Sequence, residues 1–310
     1  MRVFVAGASG ALGTRIVARL IDRGHEVIGS YRSAGHEQRV MALGARTVQL
    51  DLRDASAVVA AVRGATPDVI VHQATALADA RFGRHLDRTF AATNQLRTVG
   101  TDALLAAAQA AGVRRFVAQS YAPYRYAREG GPVKTEDDPI EATPPPAARE
   151  TFAAMSHLDA AVTGAGGVAL RYGTFYGDTD PATKAGLLDP VRKRRYPLVA
   201  GGRGIMSFIH LEDAADATVC ALEQGSTGIF NIVDDEPAPM REWVPVLAAV
   251  LGAKPPLRVP AWAARLVAGS DAVAMISDCR GASNAKARRE LGWVPRYSSW
   301  REGFPAAYGA

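Results

Sequence analysis

The 310-residue chain has two cysteines, Cys220 and Cys279, with no metal-ligand spacing around either. That scarcity argues against a disulfide framework or a zinc module and fits a reduced, cytoplasmic setting. No apolar run approaches the roughly 20 residues a helix needs to cross a bilayer. Strand-like RVFVAG begins at residue 2, leaving no room for the charged and apolar regions of a secretory leader. Basic residues outnumber acidic ones, 36 to 31, for a net charge of +5. They form no basic stripe with interleaved aromatics, so neither nucleic acid nor a membrane is an expected partner. The one cluster, Arg192-Lys193-Arg194-Arg195, reads as a solvated helix face or a contact to a substrate phosphate.

What is present is ordinary globular usage, 48% hydrophobic and 22% charged, in a length that allows one large domain with a smaller companion. The first half alternates β-branched runs with helix-period segments. Strands are expected at 2–7, 25–32, 46–51, 67–74 and 113–120. Helices are expected at 11–24, ending at Gly24, and along 84–111, broken near Thr89. Such alternation predicts a doubly wound, Rossmann-like α/β fold with a parallel sheet. A Pro, Gly and acid-rich loop follows to about residue 146, then a helix at about 148–164 and a strand at 167–173. Beyond lie a Gly/Asp/Pro loop and short strand-like pieces, SFIH and GIFNIV, then proline-punctuated helices. The expected division is a dinucleotide-binding domain over 1–172, with a return segment at about 206–222. A smaller, discontinuous substrate region takes 173–310.

AGASGALGTR spaces Gly7, Gly10 and Gly13 as G-x-x-G-x-x-G between the first strand and the first helix. Gly7 permits the tight turn, Gly10 lets backbone approach a pyrophosphate and Gly13 lets the helix pack closely, with the phosphates on free N–H groups at the helix start. Ser9, Ala11 and Leu12 complete the loop. The second strand ends in Ser-Tyr31-Arg32, where a carboxylate would hold a ribose 2′-hydroxyl and repel a 2′-phosphate. A guanidinium there binds phosphate and stacks on adenine, so NADP is the expected cofactor, with NAD as the alternative. No metal is expected.

Read together, these residues resemble the extended short-chain dehydrogenase/reductase superfamily, in its NAD-dependent epimerase/dehydratase branch. Asp51 and Leu52 in LDLRD resemble the family's adenine contact, VHQAT brings Gln73 and Ala74 to the cofactor, and LRYGTFYG brings Tyr172 beside the nicotinamide. FIHLEDAADA and SNAKARRELGW resemble C-terminal signatures of the family. Asp51 also reads as a helix cap. The family's catalytic pair is a tyrosine with a lysine four residues on, which relays a proton as hydride moves. Here the matching helix reads ARETFAAMSHLDA, with Thr151 and Met155 at those positions, and no tyrosine in the chain has a lysine at the fourth position.

The missing acid directs attention to QSYAPYRYAREGG. The resemblance puts a substrate-binding serine or threonine just past the fifth strand, where Ser120 and then Tyr121 stand. Tyr121, Tyr124 and Tyr126 are therefore candidate acids or pocket lining, with Lys134 and Arg128 as charges that can lower a phenol pKa. His210 and Asp213 read as an acid/base pair or as a cap and anchor, Tyr176 as a ligand contact or a brace, and the EDD run at 136–138 as solvated. The expected activity is an NADP-dependent oxidoreductase acting on a small carbonyl or sugar-like substrate. An epimerase/dehydratase using the cofactor transiently and a catalytically silent dinucleotide sensor are the alternatives. A homodimer is compatible with all three.

Overall fold

Val3, Phe4, Val5 and Ala6 are fully buried because the first strand lies inside a sheet covered on both faces. In the computed structural model, which describes residues 1–78, 80, 85–177 and 181–309, seven strands form that sheet. They are β1 (Arg2–Ala6), β2 (Glu26–Tyr31), β3 (Arg46–Gln49), β4 (Val69–His72), β5 (Arg115–Tyr121), β6 (Val168–Tyr172) and β7 (Gly228–Ile232). Their order is β7-β6-β5-β4-β1-β2-β3 and every pair is parallel. Strand order reverses between β1 and β4, the place where doubly wound sheets open a ligand crevice at their carboxyl ends.

The period of two along β1 divides the core. Val3 and Val5 face a cluster with Leu12, Ile16 and Leu20 of α1 (Ala11–Asp22), while Phe4 and Ala6 face one with Val58 and Val62 of α2 (Ala55–Ala65). Helix α3 (Leu86–Gln95) runs through one π-helical turn, Leu96–Gly100, into α4 (Thr101–Ala110). The expected break near Thr89 is absent; the irregularity is this turn. Helix α5 (Arg149–Gly164) packs beside α3. Arg84 and positions 178–180, parts of two expected segments, lie outside the described residues.

The expected boundary needs one correction. GIFNIV is not part of the substrate region: it is β7, the edge strand of the sheet, so the sheet's return extends past residue 222. SFIH forms a strand, Phe208–His210, paired with Thr174–Tyr176 just beyond β6. It leads into α6 (Leu211–Gln224). A separate core of Tyr176, Phe208, Trp243, Trp300 and Phe304 holds the C-terminal region against the sheet. Among the described residues, no helix is long and apolar enough to cross a membrane.

Candidate functional site

The glycine loop behaves as three different glycines. Gly7 has φ +85°, and a Cβ there would stand 2.7 Å from the Ala74 backbone, so this turn presses directly onto the end of β4. A Cβ on Gly13 would come within 2.1 Å of the Gly7 carbonyl, which makes close helix-to-turn packing its role. Gly10 differs: its φ of −72° suits any residue, and the nearest atom to a Cβ added there would be the Gly7 oxygen, at 3.5 Å. The space before Gly10 is open. Helix α1 starts there without a side-chain cap or an acidic residue in its first turn. An uncapped, positive helix end facing open space is what a pyrophosphate needs.

At the adenosine end, Tyr31 is buried beside Glu37, a carboxylate that also accepts a hydrogen bond from Thr47. Arg32 is exposed. Asp51 is gripped by Arg53 through its backbone N–H and its guanidinium, and its pKa is lowered to about 2 chiefly by that guanidinium, with Arg32 a further cationic neighbour. The cap role belongs to Asp54, which accepts from Ala57 at the start of α2. Leu52 is buried, ready to present an apolar face. Gln73 is 5% exposed; it approaches the Tyr172 hydroxyl, yet neither carboxamide atom is properly hydrogen-bonded. The fit to a dinucleotide rests on the open, uncapped start of α1, which has room and free N–H groups for its phosphates.

Tyr172 is turned inward: its ring is fully buried and its hydroxyl bonds Thr218 Oγ1 at 2.7 Å, with Gln73 beside it. Ser120 is likewise turned inward, accepting from Arg125 at 3.1 Å. That guanidinium and the one on Arg171 both bond Oδ2 of Asp159, at 2.8 and 2.9 Å, in a network with side chains 5% exposed or less.

The positions of the expected catalytic pair are closed. Thr151 donates to Asp87 Oδ1 at 2.8 Å and accepts from Asn94 Nδ2 at 3.1 Å, tying α5 to α3. Met155 is buried with Ala148 and Phe152, and Tyr121 and Tyr124 pack against that cluster. A hydroxyl used as a clamp and a thioether used as packing supply no proton at neutral pH.

The three phenols separate. Tyr126 is buried and donates to Asn231 Oδ1 at 2.6 Å while Arg171 donates to it, so it is a structural member of the network. Tyr124 adopts φ +66° and lies beside Tyr196, with burial pushing its pKa far up. Tyr121, half-buried at the carboxyl end of β5, has its hydroxyl 3.4 Å from Thr174 Oγ1. Burial raises its pKa; the Thr174 bond and Arg97 act against that rise. The charges named from sequence lie elsewhere: Lys134 pairs with Asp138, and Arg128 with Glu141. The cation near Tyr121 is Arg97, on the π-helical turn, which sequence reasoning missed. A signal existed: Thr93, Arg97 and Thr101 recur every fourth position, a polar stripe on the buried face of an alanine-rich segment. Helical π turns gather at functional sites.

The remaining candidates resolve as framework. His210 caps α6 by accepting from the Glu212 N–H, and Asp213 accepts from the backbone N–H groups of Arg296 and Tyr297. They are cap and anchor, not an acid/base pair. Tyr176 is a brace, buried edge-on against His210 and Phe304. Arg192, Lys193 and Arg195 are exposed. Glu136 is not solvated as expected: it docks on the sheet edge, accepting from the Asn231 N–H at 2.6 Å.

Residues 3–233 match the family described as "NAD dependent epimerase/dehydratase family". A 3-diazoavenalumate denitrifying reductase from a Streptomyces species is 42% identical, over 98% of this chain and 99% of its own. A 2-alkyl-3-oxoalkanoate reductase of Stenotrophomonas maltophilia is 31% identical, over 82% and 76% respectively. Among solved structures, the UDP-glucose 4-epimerase of Thermus thermophilus in complex with NAD aligns with a TM-score of 0.73 at 26% identity, covering 99% of this chain and 98% of that one. With the Rossmann-like sheet, the open glycine loop and matches of this extent, the chain belongs to the NAD-dependent epimerase/dehydratase family and is an NAD(P)-dependent oxidoreductase or epimerase.

Proposed function

We propose that the protein is an NADP(H)-dependent reductase whose substrate accepts hydride without a proton relay from α5. The observation that carries this reading is the closure of both relay positions, Thr151 by the Asp87 clamp and Met155 by apolar packing. Bound NADPH supplies the hydride. Gly7 to Gly13 and the uncapped start of α1 would hold its pyrophosphate, Asp51 and Leu52 its adenine, and Gln73 its nicotinamide half. Arg32 and Arg53, both beside Asp51, favour a 2′-phosphate.

Substrate chemistry explains how such a site can dispense with the relay. A carbonyl that accepts hydride becomes an alkoxide and needs a proton. A diazonium that accepts hydride becomes a neutral diazene, which loses dinitrogen and leaves a C–H bond, so no enzyme acid is required. The 42% identical relative is named for a reductase of a diazo compound, and a small diazo compound is the substrate class we favour. Crevice residues then only orient the substrate and exclude water. The test is NADPH oxidation with an aryl diazonium salt, with evolved nitrogen quantified. One dinitrogen per NADPH is expected; NADPH binding without turnover would leave a silent sensor.

A second reading, reduction of a small carbonyl, is favoured by Tyr121, whose phenol stands at the carboxyl end of β5 beside Thr174. Tyr121 would then donate the proton, with Thr174 and Arg97 around it. Reversible sugar oxidation, as in an epimerase, has less support, since it needs a base where Thr151 stands.

A further inference from the structure

The interior beside Tyr121 holds an excess of positive charge. Arg97, Arg125 and Arg171 are 7%, 1% and 4% exposed, and the one carboxylate among them is Asp159, at 4%. Asp159 spends Oδ2 on Arg125 and Arg171. Glu136 lies on the far side of Arg171, where Lys286 is a further cation acting on it. Neither carboxylate forms an ion pair with Arg97, and among the described residues Arg97 makes no hydrogen bond at all. Asp159 acts on Arg97 only at a distance, and a buried guanidinium with no hydrogen-bonded partner is costly to the fold unless it has a compensating role. The guanidinium is also not sealed: Arg125 Nε is fully enclosed without a partner, whereas no Arg97 nitrogen is. An almost buried cation with a residual opening, on a π-helical turn and near the half-buried phenol of Tyr121, is arranged to receive an anion from outside the chain.

We propose that Arg97 is the anchor for an oxyanion of the substrate, most simply a carboxylate carried on the group being reduced, held beside Tyr121. The assignment rests on the reductase reading above and narrows its substrate to anionic acceptors. The fork of a guanidinium matches a carboxylate through two parallel hydrogen bonds, which fixes the orientation of a flat, conjugated acid as well as binding it. Thr151 and Met155 offer that anion no competing charge, and the apolar wall of Met155, Phe152 and Tyr124 suits the carbon body of such a molecule.

The experiment uses the full chain saturated with NADP⁺ and two matched probes, cinnamate and cinnamamide, titrated by calorimetry into the parent, Arg97→Met and Arg97→Lys. NADPH affinity is measured separately for each protein. The parent should bind cinnamate and discriminate against the amide. Arg97→Met should lose cinnamate affinity by roughly 10- to 100-fold, the value of a charge-assisted hydrogen bond, with amide and NADPH affinity unchanged. Arg97→Lys should recover part of the loss. Melting in the absence of ligand should not fall for Arg97→Met, since an unpaired buried charge is removed. Equal treatment of acid and amide by the parent, including no binding of either, overturns the proposal, as does an Arg97→Met variant that loses NADPH instead. Failure of the parent to bind NADPH would count against the reductase reading itself.

Discussion

At the scale of the residue, Tyr121 and Arg32 carry separable claims. Tyr121→Phe keeps the ring against the Met155 cluster and removes only the hydroxyl that faces Thr174. General acid catalysis is worth typically 10²- to 10⁴-fold. Carbonyl reduction should fall by that order, whereas release of nitrogen from a diazonium should stay within a few fold, because that product carbon needs no proton from the enzyme. Steady-state rates of this variant on one substrate of each kind decide between the two readings. A large loss on both would mean that the phenol orients substrate rather than donating to it. Arg32→Ala removes a guanidinium near Asp51, leaving Arg53 in place. NADPH should bind roughly 10-fold more weakly and NADH almost unchanged, by fluorescence titration. Equal parental affinity for the two cofactors would defeat the NADP preference.

At the scale of the element, the glycine loop makes the sharpest prediction. At Gly10 an added Cβ meets nothing closer than the Gly7 oxygen at 3.5 Å and φ is ordinary, so the fold of Gly10→Val should melt as the parent does. Its branched side chain would fill the space over the start of α1, and dinucleotide binding should become undetectable by calorimetry. Normal binding would reduce the loop to a turn. This element was legible from sequence because glycine spacing between a strand and a helix is a local property, and so were the strands themselves, six of the seven as members of the sheet. What escaped was non-local. Nothing in GIFNIV distinguishes a strand that joins the main sheet from one in a small satellite pair; its partner, β6, lies far back in the chain. Ser120 and Tyr172 occupy the expected positions in their strands, but the alternation of the sheet and the buried partners Arg125 and Thr218 turn them inward. Arg97 reads as one more helix arginine until α5 closes over it.

At the scale of the whole molecule, stability should depend on pH through His72, which couples the sheet to the Arg97 turn. His72 ends β4, is 2% exposed, and its Nε2 faces the Leu96 carbonyl at 3.3 Å, a geometry that requires Nε2 to donate. Its Nδ1 is enclosed with no partner. A second proton would therefore create a buried, unpaired donor with Arg97 nearby, and the pKa is lowered to about 4, first by burial and further by that cation. Above the ordinary histidine value of about 6.5 both folded and unfolded chains hold the ring neutral, so the full stability is present. As pH falls from about 6.5 toward 4, the unfolded chain takes up the proton and the folded one does not, and stability is lost progressively, by on the order of 3 kcal/mol across that window. His72→Gln keeps an amide donor for Leu96 and cannot titrate. In urea unfolding at pH 7 and at pH 4.5, the parent should lose more stability between the two conditions than the variant does, the difference being most of that amount. Arg97→Met, which removes the nearby positive charge, should narrow the parent's loss without abolishing it. Identical pH dependence in parent and His72→Gln would show that the ring is protonated in the folded chain, and the enclosed Nδ1 would then need another account.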